Sequence, residues 1–79
     1  MTKTNTDPIE TARVVVRSPG GAKYVVVGYL DGRIMKRLAS HRPGTFQLHR
    51  KVSPGPHGIG RGRLLALLGQ DGYIYADNN

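Results

Sequence analysis

The sequence predicts an α+β domain, a small antiparallel β-meander of four to five strands with one short helix near residues 62–68. Three observations carry this expectation. Runs rich in Val, Ile and Tyr have the length and branching that suit a pleated surface. Turn sequences containing Gly, Pro or Asp separate these runs at short intervals. A single Leu- and Ala-rich run, RLLALLG, has helical rather than strand composition. The alternative is an all-β small barrel, in which that run becomes one more strand.

Residues 1–10 are polar and read as a flexible tail before a single domain over 11–79. Ala12–Arg17 (ARVVVR) is the first strand, ended by the turn sequence Ser18-Pro-Gly-Gly21. Lys23–Leu30 (KYVVVGYL) and Arg33–Ala39 (RIMKRLA) flank Asp31-Gly32, the strongest hairpin signal in the chain. A two-residue type I′ loop there pairs Tyr29 with Ile34 and Val27 with Lys36. That register puts Val25, Val27, Tyr29, Ile34 and Leu38 on a core face. It puts Tyr24, Val26, Gly28, Arg33, Met35 and Arg37 on a basic face. A three-residue loop changes the relative facing. Lys36 falls on the apolar side and is expected to snorkel at its rim.

Ser40–Gly44 reads as a turn, and Thr45–Val52 (TFQLHRKV) as a fourth strand. Its alternation directs Phe46, Leu48 and Val52 to the apolar side, and Thr45, Gln47, His49 and Lys51 to the other. Ser53–Gly62 has two prolines and four glycines, so it is a loop. The following RLLALL reads as a two-turn helix with Gly69 as the residue past its end. A hairpin LLALL-GQDG-YIYA is the other reading of that stretch. Tyr73–Ala76 is a short strand in either case, and the last residues are a frayed end.

Charge is distributed unevenly. The chain of 79 residues has a formal net charge of +7, and eleven of its twelve basic residues lie between 13 and 63, where Asp31 is the only acid. The stretch from Arg33 to Lys51 alone holds six Lys or Arg residues, two His and no acid. A field of one sign attracts polyanions and speeds their encounter. It also fits a simple solubilising surface. So small a chain has a limited core, and with no cysteine it has neither disulfides nor thiolate zinc sites to stabilise it. A homo-oligomer is therefore a natural expectation. No apolar run approaches membrane-spanning length, and the opening MTKTNTDPIE lacks the apolar segment of a signal peptide. A soluble cytoplasmic protein is expected.

Catalysis finds little support. Asp31 and Asp71 each precede a Gly in a turn, and no carboxylate pair stands out for acid–base work. His41, His49 and His57 are eight residues apart, which is not a zinc spacing; they read as exposed imidazoles. No enzyme activity, cofactor or metal is expected. Gly55-Pro-His-Gly-Ile-Gly-Arg-Gly-Arg63 has the glycines and arginines of a phosphate cradle at a helix start, without a P-loop or dinucleotide pattern. As a structural element it is equally a linker. The basic sheet face is the second candidate. The residues expected to contact an anion are Arg33, Arg37, His49, Lys51, Arg61 and Arg63, with Tyr24 placed to stack on a base.

The function these features favour is a small nucleic-acid-binding module, taking DNA or RNA through its sheet face and Gly/Arg loop. Two rivals use the same residues. One is an inhibitor or adaptor, of the kind mobile genetic elements encode, docking on an acidic protein surface. The other is a homo-oligomer subunit that takes a small phosphorylated ligand in the glycine-rich loop.

Overall fold

Branched residues dominate the first two strands. In the computed structural model, which describes residues 9–41 and 45–76, strand β1 covers Glu10–Arg17 and β2 covers Lys23–Tyr29. The turn between them closes as Ser18-Pro-Gly-Gly allows. The Gly21 N–H donates to the Ser18 carbonyl at 2.8 Å, and Gly21 takes a φ of +95°. Strand β3 (Arg33–Leu38), β4 (Gln47–Lys51) and the two-residue β5 (Ile74–Tyr75) complete an antiparallel sheet in the order β4-β3-β2-β1-β5. Its two edges do not meet, so it is an open sheet and not a barrel. Of the expected tail over residues 1–10, residues 1–8 lie outside the described residues, as do the middle of the β3–β4 turn at 42–44 and the end at 77–79; the Ile9 carbonyl accepts from the Leu30 N–H, and Glu10 begins β1 instead of belonging to a tail.

The Asp31-Gly32 hairpin has a three-residue loop. The Gly32 N–H donates to the Tyr29 carbonyl at 3.0 Å, and Gly32 has a φ of +96°. Among the described residues only glycines take positive φ, so Asp31 is not in the type I′ conformation the two-residue loop requires. Gly28 pairs with Ile34, Val26 with Lys36 and Tyr24 with Leu38, one position from the expected register. A slip of one residue exchanges the faces of β2. Ala12, Val14, Val16, Tyr24, Val26, Gly28, Ile34, Lys36 and Leu38 therefore share one face. Val25, Val27 and Tyr29 join Arg33, Met35 and Arg37 on the other.

Helix α1 (Arg61–Gln70) lies on the first face. Leu64 and Leu68, one turn apart, are fully buried with Ile59 against Val14, Val16, Val26 and Ile34. As a strand, LLALL would present leucines to both sides of a sheet with one covered face; as a helix it gathers them on one. Gly28 leaves the space this needs, because a Cβ there would stand 3.2 Å from the Ile59 Cβ. The helix runs past the expected end at Gly69. The Tyr73 N–H donates to Leu68 and the Gly72 N–H to Gly69, with Gly72 at φ +90°. This is a Schellman motif whose left-handed residue is Gly72 rather than Gly69.

The loop before the helix is anchored. Thr11 Oγ1 donates to the Ile59 carbonyl at 2.7 Å, and the Val52 N–H donates to the Gly32 carbonyl at 2.9 Å.

Candidate nucleic-acid interface

Alternation along each strand leaves one face of the sheet without a helix. Its composition follows from the register. Arg13, Val15 and Arg17 come from β1; Lys23, Val25, Val27 and Tyr29 from β2; Arg33, Met35 and Arg37 from β3. Leu48 and Lys51 come from β4, and Ile74 from β5. Val27 is fully buried between its cross-strand partners Arg13 and Met35. Leu48 at 57% and Ile74 at 67% exposure stand open at the two sheet edges. The result is an apolar band crossed by Arg13 and Arg37, opposite Val27 and Val25, with further cations at both ends.

Those cations are placed in pairs. Arg17 stands opposite Lys23, and Arg33 opposite Lys51. Like charges directly opposite in an antiparallel pair destabilise it, with Cβ atoms only about 4.5–5.5 Å apart. The acids that reach this face are few. Glu10 forms a two-pronged pair with Arg13, at 3.0 and 2.9 Å, and Asp31 pairs with Arg33 at 2.9 Å. The Arg13 bond holds the Glu10 carboxyl below its usual range. The Asp31 carboxyl is lowered first by the backbone N–H of Arg33, then by its side chain and by Lys51. Arg17 bonds the Gly21 carbonyl, and Lys23 and Lys51 have no ion pair among the described residues.

The other expected site residues divide. Arg33 and Lys51 are on the open face as expected. Arg37 is on it too, but its Nη1 donates to the Leu38 and His41 carbonyls and its guanidinium lies 5.3 Å over the Phe46 ring. Its Nε is buried without a hydrogen-bond partner among the described residues. Arg37 thus fastens the β3–β4 turn. Tyr24 is displaced to the helix-covered face by the register. There it meets Tyr73 edge-on at 6.1 Å, and Lys36 Nζ lies 5.3 Å from its ring while bonding the Tyr73 hydroxyl.

His49 is also on the covered side, and it is not the exposed imidazole that sequence alternation implies. Met35 and Ile34 are consecutive, yet they pair with Leu48 and Arg50. His49 is the extra residue of a β-bulge, which turns two successive side chains toward one region. His49 Nε2 lies 2.9 Å from Asp71 Oδ2, and Arg50 Nη1 donates to both Asp71 oxygens at 3.2 Å. The His49 side chain is 11% exposed. Its bond, followed by that of Arg50, holds the Asp71 carboxyl below its usual range. The bulge also turns Leu48 to the open face, against expectation.

Arg61 and Arg63 open helix α1 and so lie on the other layer from Arg33 and Lys51. Arg61 stacks over Tyr75 at 5.2 Å and donates to its hydroxyl at 3.0 Å, while Arg63 is exposed. The sheet face and the glycine–arginine loop adjoin only at the β1–β5 edge, where Arg61 lines a recess with Arg13 and Val15. Conversely, Arg13, Arg17 and Lys23 were not among the expected contacts. The alternation in Ala12–Arg17 held the signal for the two arginines, and only the register to β2 shows which side it faces.

Two surface recesses, one at Arg13, Arg61 and Tyr75 and one at Tyr24, Arg37 and Gln47, have volumes of about 230 and 260 Å³. Both are smaller than the ~300–1,000 Å³ typical of small-molecule sites. No cluster of three or more His, Cys, Asp or Glu side chains suited to a metal occurs among the described residues. No protein-family model, curated protein or solved structure matches this chain.

Proposed function

We propose that this chain is a small nucleic-acid-binding domain that takes a phosphate backbone on the open face of its sheet. The observation that carries the reading is the two cross-strand pairs of like charge, Arg17 with Lys23 and Arg33 with Lys51. The Arg17–Lys23 pair costs the sheet stability, Asp31 offsets only part of the Arg33–Lys51 repulsion, and a phosphate lying between the members of either pair relieves what is left. Glu10 and Asp31 are too few to neutralise the face, and both are already engaged. The domain therefore meets a polyanion above all with Lys23 and Lys51, which form no ion pair among the described residues.

The test is a salt-titrated binding curve with random-sequence DNA and RNA, for the parent and for Lys23→Gln/Lys51→Gln. Both lysines lack ion pairs among the described residues. The variant should melt at or slightly above the parent temperature, because each change removes one like-charge pair. The slope of log K against log salt should become shallower by about 0.9 per lysine for duplex DNA, or about 0.7 for single strands. A parent that binds neither DNA nor RNA at low salt overturns the reading. In that case an acidic protein surface becomes the partner the face fits.

A further inference from the structure

Resting on that reading, we infer that the open face is built for unpaired nucleic acid, with bases laid on its apolar band and phosphates on the cations at either end. A duplex presents phosphates and keeps the faces of its bases stacked inside. Against a duplex the exposed apolar residues of this face would gain nothing. Yet apolar side chains run through the centre of the face, beside Arg13 and Arg37. Val15 and Val25 are cross-strand partners, and Met35 and Leu48 lie in the next row over the fully buried Val27. Leu48 is more than half exposed. Tyr29 continues the band on β2, diagonally across from Arg13 on β1.

The dimensions fit a short strand. Lys23 and Tyr29, six residues apart on β2, are separated by about 20 Å at ~3.4 Å per residue. Arg17 stands beside Lys23 at one end of that length, and Arg33 with Lys51 at the other end, near Tyr29. An unpaired strand can splay its bases onto such a band while its phosphates reach both cation pairs. Stacking of a base on an aromatic side chain, here Tyr29, does not require a particular base, and apolar contact with the neighbouring aliphatic side chains requires none either, so the recognition is of strandedness more than of sequence.

The experiment compares three probes of equal length on the intact chain: a single-stranded oligonucleotide, its duplex, and a strand of abasic phosphodiester units. The single strand should bind at least about fivefold more tightly than either of the others, the gain of one stacked base. Leu48→Ser, at an exposed position, should reduce that advantage without changing the salt slope, whereas Lys51→Gln should change the slope. If the duplex or the abasic strand binds as well as the single strand, the base-stacking inference is overturned while nucleic-acid binding stands. If no probe binds at low salt, the proposed function itself fails, and the inference with it.

Discussion

Gly32→Ala should be among the most damaging single substitutions in this domain, and its cost can be separated into parts. Gly32 has a φ of +96°, where an L-residue costs about 1–2 kcal/mol. A Cβ at this position would overlap the Val52 carbonyl oxygen and stand 3.2 Å from its carbon and 3.0 Å from Pro54 Cδ. Relief requires Val52 to withdraw, which breaks its 2.9 Å bond to the Gly32 carbonyl at a net cost of about 1 kcal/mol. The sum is about 2–3 kcal/mol before any loss of packing. At ~4–8 °C per kcal/mol for a domain of this size, the melting temperature should fall by roughly 10–25 °C. Gly21→Ala is the matched control. Gly21 has nearly the same φ, +95°, with no atom within 4 Å of an added Cβ, so only the backbone part applies. Gly69→Ala completes the series: this helical glycine is also in open space, and alanine there should stabilise by about 0.5–1 kcal/mol. Thermal melts followed by circular dichroism give all three values. If Gly32→Ala melts no lower than Gly21→Ala, the close approach of the hairpin loop to Val52 is absent and the three-residue register is refuted.

Two further substitutions test the helix ends. Asp71→Asn weakens the contacts that tie the end of α1 to the bulge in β4, and should lower stability at neutral pH by about 1 kcal/mol. The depressed carboxyls of Glu10, Asp31 and Asp71 contribute stability that is present above the ordinary carboxylate range and lost as pH falls through their lowered values. Parent stability should therefore decline below about pH 4, and less steeply in Asp71→Asn; equal acid limbs in the two proteins would argue against the Asp71 contacts. Arg63→Glu replaces an exposed cation in the first turn of α1, which has no acid, and should raise stability by about 0.5–1 kcal/mol through the helix dipole. The same variant should leave nucleic-acid affinity nearly unchanged at moderate salt, and a large loss would move the interface from the sheet to the helix layer.

How much of this was legible depends on the range of the physics involved. Strand positions follow from local composition, and β2 and β3 occupy the expected residues because branched side chains and Asp-Gly punctuation act within a few positions. Lys36 sharing a face with Ile34 and Leu38 is likewise legible, since it follows from alternation within one strand. The register is different. Asp-Gly suits a two-residue loop as well as a three-residue one, and nothing local to it separates the two; in the loop formed, Gly32 lies against Val52 and Pro54, about twenty residues on. That single choice moved Tyr24 under the helix and Val25 and Val27 to the open face. The bulge at His49 was equally out of reach, because the partner it brings His49 to, Asp71, is more than twenty residues away. The helix end at Gly72 could have been read: the sequence Gln70-Asp71-Gly72 offers a second glycine three residues beyond Gly69, and either suits a left-handed C-terminal residue.

The contacts also sort the cations by what the fold asks of them. Arg13 and Arg33 have acids beside them, Arg50 has Asp71, Lys36 and Arg61 have tyrosine hydroxyls, and Arg37 has backbone carbonyls. Those six are accounted for by local structure. Lys23 and Arg63 have no such partner among the described residues, Lys51 is near Asp31 without forming an ion pair, and Arg17 has only the Gly21 carbonyl. Solubility would be served by scattering these four. Three of them instead share the open face, two placed opposite each other and the third opposite an arginine. Surface ion pairs contribute only about 0–1 kcal/mol each, so adding acids beside these cations would alter stability little and would remove the repulsion. What acids there would abolish is the positive field over the apolar band. The concentration of unpartnered cations on the one sheet face that α1 leaves open is therefore better explained by a ligand of opposite charge than by the requirements of folding.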